Sequence, residues 1–252
     1  MNPLKWIKRE VKRRLTDVYH RKVLYEPTPD DQAAAARARE EANTAFIRAY
    51  LQTAGDPRLQ LGCELHVLEG WLNTDIVPPP GRAARLDATR PFPLPDNHFR
   101  LVYSEHMIEH LPLEAGRRML AECHRVLRPG GRLRIVTPNL ESILGLYRPD
   151  PSPFQQRYLE WSANVLKGGA WPPEPVFVVN NFMRDWGHQF VYDAPVLRRC
   201  LEEAGFTGVT QPALMESPEP SLRGLEHAAR MPEGFLAFES LVFEAVKEGS
   251  GS

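Results

Sequence analysis

From Arg58 onward the apolar positions fall in short runs broken by turn residues. That spacing predicts strands at about 58–63, 71–75, 83–87, 99–104, 131–137, 207–213 and 238–246. One long segment among them carries helical periodicity instead. Ala115, Met119, Leu120, Cys123, Val126 and Leu127 form its buried stripe, Pro112 suits its first position, and Pro129-Gly130 ends it. Asp193 and Pro195 open a second helix through Leu197, Cys200 and Leu201, stopping at Gly205. Alternation of this kind is the signature of a largely parallel sheet. Two helices precede it. Leu4, Ile7, Val11, Leu15 and Val18 recur at helical spacing over residues 3–24, and beyond the break at Pro27-Thr28-Pro29 an Ala-rich run extends from Gln32 to Thr53. Residues 1–54 therefore read as a helical extension, 55–248 as one α/β domain, and Gly249 to Ser252 as an appended linker.

Composition narrows this picture. A chain of 252 residues with 42% hydrophobic content can bury one full-sized core. Cys63, Cys123 and Cys200 are odd in number and far apart, so neither a disulfide framework nor a zinc knuckle is expected, and a cytoplasmic location fits. No apolar stretch is long enough to span a bilayer, and the first residues lack the apolar core of a signal peptide. The net charge of -1 hides an uneven distribution, because residues 1–24 hold eight Lys/Arg against Glu10 and Asp17. Such a basic amphipathic helix can touch an anionic membrane, although a solvated helix face is the simpler reading. The acidic remainder is a poor match for extended phosphate binding, which makes nucleic acid an unlikely partner. Between 147 and 192 the chain is rich in Pro and aromatics, including Trp161, Trp171 and Trp186. An insertion of this composition is expected to be a substrate lid and not a disordered linker.

In a doubly wound sheet, ligands bind beyond the carboxyl ends of the strands, where the strand order reverses. Gly62 closes the first strand with a residue that lets the backbone approach a ligand or take positive φ. Asp75 ends the second strand, where a carboxylate can accept hydrogen bonds from two ribose hydroxyls, and Asp87 ends the third, within reach of an adenine amino group. Each feature alone is weak; their order carries the argument.

Leu61-Gly62-Cys63, Gly70-Trp71-Leu72-Asn73-Thr74-Asp75, Asp87, Pro91 to Asp96, Tyr103-Ser104-Glu105-His106-Met107-Ile108-Glu109-His110 and Arg125 to Gly131 resemble successive motifs of class I S-adenosylmethionine (SAM) methyltransferases of the small-molecule type. Asn181 to Asp193 and Ala204-Gly205-Phe206 resemble a bacterial branch of that group, and the similarity spans about 57–246. The resemblance implies a Rossmann-like, seven-stranded, mostly parallel sheet with an antiparallel last strand, and SAM as cofactor. It places Gly62, Cys63, Glu64, Asp75, Ile76, Asp87, Ala88 and Ser104 around that cofactor. Two positions depart from the pattern. Glu64 stands where a second glycine is usual, so its side chain either crowds the methionine end of SAM or receives its ammonium group, and Arg100 replaces an acidic residue.

Methyl transfer from a sulfonium is an in-line displacement that needs alignment and, for a hydroxyl nucleophile, a base. His106 and His110 are one helical turn apart with Glu109 beside them, and His188 in the lid can close over the same place. These three histidines are the candidate catalytic residues, with Asp185 and Tyr103 weaker. The cluster is also similar to a Glu-x-x-Glu-His cluster of small-RNA and ubiquinone-pathway O-methyltransferases that holds a divalent metal. That resemblance implies His106, Glu109, His110 and His188 as ligands if a metal is used. General base, metal site and structural role all remain open from sequence. The fourth strand lacks the Asn/Asp-Pro-Pro-aromatic turn of enzymes that methylate exocyclic amines of bases. The expected substrate is therefore a small metabolite or a glycan hydroxyl. SAM cleavage or cyclisation releasing methylthioadenosine, and a catalytically silent scaffold, are the alternatives.

Overall fold

The computed structural model describes residues 28–165, 169 and 171–249; the basic helix expected over 3–24 lies outside them. Two compact units divide the chain, residues 1–48 and 49–252. The division falls inside helix α1 (Pro29–Thr53). Thr28 and Asp31 start α1 reciprocally: the Thr28 amide donates to Asp31 Oδ2 at 3.0 Å and the Asp31 amide donates to Thr28 Oγ1 at 3.2 Å.

The second unit is built on seven strands: β1 (Arg58–Leu61), β2 (Leu72–Asp75), β3 (Ala84–Arg85), β4 (Phe99–Glu105), β5 (Leu127–Pro138), β6 (Thr207–Thr210) and β7 (Ser240–Val246). They lie in the order β3-β2-β1-β4-β5-β7-β6. The first five pair in parallel, and β7 slots antiparallel between β5 and β6, as expected for the last strand. The central β4 buries Phe99, Leu101, Val102 and Tyr103, the continuous apolar run of a strand covered on both faces. Its neighbour β5 is the longest strand because it pairs with β4 on one side and β7 on the other.

Two details differ from the sequence expectation. Helix α2 (Leu113–Val126) ends before Pro129, because Leu127 is already paired with Phe99 and the Pro-Gly-Gly corner belongs to β5. The insertion, in which no helix was expected, is largely helical. After the short α3 (Leu140–Leu144) come α4 (Pro153–Val165) and α5 (Pro175–Arg184), followed by α6 (Ala194–Glu203) and, before β7, α7 (Phe235–Glu239). Tyr158, Leu159, Val178 and Phe182 from the insertion share a buried cluster with Ile143, Leu146 and Phe235. By contrast, the links 62–71, 76–83 and 86–98 carry no helix, which leaves the carboxyl ends of β1, β2 and β3 bordered by loops.

A buried ion cluster ties the 211–239 segment to the sheet. Arg134 of β5 donates to Glu244 of β7 at 2.7 Å and to Glu226 of that segment, with all three side chains fully buried.

Candidate active site

The strand order reverses between β1 and β4, and the register aligns Leu61 with both Thr74 and Ser104. The carboxyl ends of β1, β2 and β4 therefore meet at one level, and the chemistry-bearing residues leave the sheet there. Gly62 takes φ 69, and a Cβ added to it would lie 2.7 Å from the Met107 Cβ. Only glycine fits both the conformation and the space. Glu64 adopts φ 43, so the backbone keeps the left-handed turn usually given to glycine while its side chain stays exposed. The Glu64 amide donates to Asp75 Oδ2 at 2.9 Å and the Val77 amide to Asp75 Oδ1 at 2.9 Å, fixing that carboxylate beside the turn. Burial, reinforced by the Asp75 charge, pushes the Cys63 thiol up to about 11.

His106 leaves β4 at φ 47, an uncommon conformation for a non-glycine residue. That bend sends its ring toward Ser240 Oγ, 3.0 Å from Nε2, and Glu109 Oε1, 3.5 Å from Nδ1. Burial holds the His106 imidazole well below its usual range, so the ring is neutral. Glu109 sits on the 3-10 turn Ile108–His110, fully buried; Thr137 Oγ1 donates to its Oε2 at 3.0 Å while Oε1 has no hydrogen-bond partner. Burial pushes its carboxyl up to about 8. The insertion returns over this turn: the Gln189 and Phe190 amides both donate to the Glu109 carbonyl, at 2.7 and 3.1 Å. Trp186 and Gly187 absorb the bend with φ 57 and 81. His188 arrives edge-on to His110, ring centroids 4.9 Å apart, with Nδ1 2.7 Å from the Phe182 carbonyl. A carbonyl only accepts, so Nδ1 carries the proton and Nε2 keeps its lone pair.

These groups line one cavity of about 720 Å3, in the size range of small-molecule sites. Gly62, Cys63 and Glu64 form one side, His106, Glu109, His110 and His188 another, and Tyr158, Trp161, Phe182 and Trp186 an aromatic wall. The 147–192 insertion thus contributes residues to the cavity, although Trp171 is not among them; it packs against Phe177. Asp75 reaches the turn only through its hydrogen bond, and Ile76, Asp87 and Ala88 lie outside the cavity lining with Ile76 exposed. Ser104 is buried in β4 and its Oγ has no hydrogen-bond partner among the described residues. Tyr103 is core, donating to Glu105 Oε2 at 3.0 Å.

Sequence reasoning missed the wall that comes from the 211–239 segment. His227 stacks on His66 with centroids 4.8 Å apart, its amide donates to Glu105, and Arg230 pairs with Glu105 at 3.4 Å. Glu239, which accepts from Tyr158 Oη at 2.5 Å, closes the floor and is pushed up to about 7 by burial. These residues follow no periodic pattern; the one available signal was the run of charge at Glu226, His227 and Arg230 in a stretch without strand character.

A seven-stranded, mostly parallel sheet in this order, with its glycine turn at the point of reversal, is the Rossmann-like fold typical of class I methyltransferases. Residues 74–135 match the family model of the methyltransferase domain, whose cofactor is SAM. Among solved structures, the chain is similar to a SAM-dependent methyltransferase from Archaeoglobus fulgidus, with 17% identity, 92% of this chain and 99% of that one covered, and a TM-score of 0.47. A SAM-dependent methyltransferase from Thermotoga maritima gives 16% identity, coverage of 86% and 97%, and 0.45. Phosphoethanolamine N-methyltransferase 2 of Haemonchus contortus, in complex with SAM, gives 13%, 82% and 52%, and 0.42. No curated protein sequence matches the chain. No helix among the described residues is long and apolar enough to cross a membrane.

Proposed function

We propose that the protein transfers the SAM methyl group to a hydroxyl oxygen of a small metabolite or saccharide. The observation that carries this reading is the meeting of the Gly62–Glu64 turn and His106, His110 and His188 in one cavity. Gly62, Cys63 and Glu64 take the methionine portion, with the Glu64 carboxylate receiving its ammonium group. Asp75 and Ile76 take the ribose, Asp87 and Ala88 the adenine, and Ser104 lies beneath them. The acceptor enters along the aromatic wall, its oxygen in line with the methyl–sulfur bond. His106, neutral through burial, removes the hydroxyl proton as the C–O bond forms and the C–S bond breaks. The buried free thiols Cys63, Cys123 and Cys200 fit a reducing cytoplasm.

The test is incubation with SAM and a panel of small phenolic, carboxylic and saccharide hydroxyl acceptors, reading S-adenosylhomocysteine and the methylated product. Acceptor-dependent S-adenosylhomocysteine should appear, and His106→Ala should lower the rate by about 10²–10⁴ while still binding SAM. Methylthioadenosine released without an acceptor would replace transfer with SAM cleavage, and absence of SAM binding would leave a silent scaffold.

A further inference from the structure

We infer that the acceptor carries a protonated amine as well as its hydroxyl, and that Glu239 and the Trp161 ring at the cavity floor hold that ammonium group. The inference deepens the methyl-transfer reading and rests on it for calling the bound molecule an acceptor, not for the ammonium site itself.

The partners of the carboxyls that line the cavity lead to Glu239. Glu64, Glu105, Glu109 and Glu239 face one guanidinium there, that of Arg230. Glu105 is already matched: Arg230 lies 3.4 Å away, and Tyr103 Oη and the His227 amide both donate to it, at 3.0 and 3.2 Å. Glu109 accepts from Thr137 on one oxygen and has His106 Nδ1 3.5 Å from the other. Glu64 belongs to the glycine turn, where the ammonium group of the cofactor itself is placed. Glu239 differs from all three. Tyr158 Oη donates to its Oε2 at 2.5 Å, while Oε1 has no partner among the described residues. The residue is only 6% exposed, so water screens its charge poorly. Burial, partly offset by the Tyr158 hydrogen bond and the Arg230 charge, pushes its carboxyl up to about 7. An arriving ammonium group supplies the counter-charge that this carboxyl lacks.

The surroundings suit a cation with an organic body. The Tyr158 phenol that holds Glu239 has its ring 5.9 Å from that of Trp161, a half-buried indole in the cavity lining, so a carboxyl and an aromatic side chain are set close together. Phe182 and Trp186, with ring centroids 5.4 Å apart, continue the wall. Aromatic faces attract cations through the ring quadrupole, most strongly where water is excluded. Ser240, the residue after Glu239, places its Oγ 3.0 Å from His106 Nε2, so the ammonium anchor adjoins the proposed base. Held protonated at Glu239, the amine has no lone pair with which to attack the methyl carbon. The hydroxyl oxygen forms the C–O bond instead, the C–S electrons return to sulfur to give S-adenosylhomocysteine, and the hydroxyl proton passes to His106.

The test compares two near-isosteric phenols, tyramine and para-propylphenol, by calorimetry on the full chain with and without S-adenosylhomocysteine, and by mass spectrometry of the product formed from SAM. Tyramine should bind about tenfold tighter or better. Glu239→Gln should remove that preference and Trp161→Leu should weaken it about threefold, with both variants keeping the wild-type circular dichroism spectrum. The methyl group should appear on the phenolic oxygen. Equal affinity of wild type for the two phenols, a preference unchanged in both variants, or methylation on nitrogen overturns the inference. The same titrations separate the two claims: S-adenosylhomocysteine binding with equal phenol affinities removes the ammonium site alone, and a tyramine preference without S-adenosylhomocysteine binding removes the methyl-transfer reading alone.

Discussion

Gly62→Ala puts the architecture of the cofactor turn to a quantitative test. At φ 69 an alanine sits in the left-handed region, at about 1–2 kcal/mol for an L residue. Its Cβ would meet the Met107 side chain, 2.7 Å from Met107 Cβ, and forced overpacking of this kind costs about 1–3 kcal/mol. Reduced freedom of the unfolded chain returns about 0.4–1 kcal/mol. The net expectation is a loss of about 1–5 kcal/mol, read by urea unfolding with tryptophan fluorescence. Met107→Ala removes the side-chain atoms beyond Cβ but leaves Cβ in place. In the double variant part of the loss should therefore return, with a coupling of about 1 kcal/mol, while the left-handed strain persists. SAM affinity should fall in the single variant because the turn must shift away from Met107. A Gly62→Ala protein within about 0.5 kcal/mol of wild type, with unchanged SAM affinity, would refute the reasoning.

Three further outcomes are expected. Glu64→Gln should weaken SAM binding about tenfold, roughly 1.4 kcal/mol, through loss of the charge that receives the ammonium group; unchanged or tighter binding in calorimetry would mean that Glu64 plays no such part. Arg134→Met strands the buried carboxylates of Glu226 and Glu244 and should cost about 3–5 kcal/mol in chemical unfolding, most of it recovered when both glutamates become Gln; a loss under about 1 kcal/mol would contradict the ion-cluster account. Glu239 titrates near 7 in the folded protein against an ordinary 4.5, so the folded state holds the extra proton between those values. Its contribution to stability is full below about 4.5 and is lost as pH rises through about 7, a change of at most about 3 kcal/mol. Glu239→Gln should flatten that part of the stability profile, and a variant profile as steep as wild type would rule the assignment out.

The parts of the molecule that were legible in the sequence are those where local chemistry and tertiary position agree. Short β-rich runs marked all seven strands, most of them buried in the interior of the sheet, while β3 with two residues and β6 with no buried residue lie at its two edges. Gly62, Asp75, His106 and His110 could be placed because strand ends define where a doubly wound sheet binds ligands. The helices of the insertion were hidden because Pro and aromatic residues lower local helix propensity, and it is the shared cluster of Tyr158, Phe182 and Phe235 that stabilises them. The end of α2 was misplaced because the pairing of Leu127 with Phe99 overrides the Pro-Gly signal two residues later. His66, His227 and Arg230 join the site through contacts across more than a hundred residues of chain, which no local pattern records.

Calorimetric titration with SAM and with S-adenosylhomocysteine, on wild type and Asp75→Ala, tests the central claim most directly. Asp75 accepts from the Glu64 and Val77 amides and anchors the turn that would receive the cofactor. The account predicts micromolar binding of both ligands to wild type and its loss in the variant. Absence of binding to wild type at millimolar ligand, or equal binding to both proteins, would contradict it.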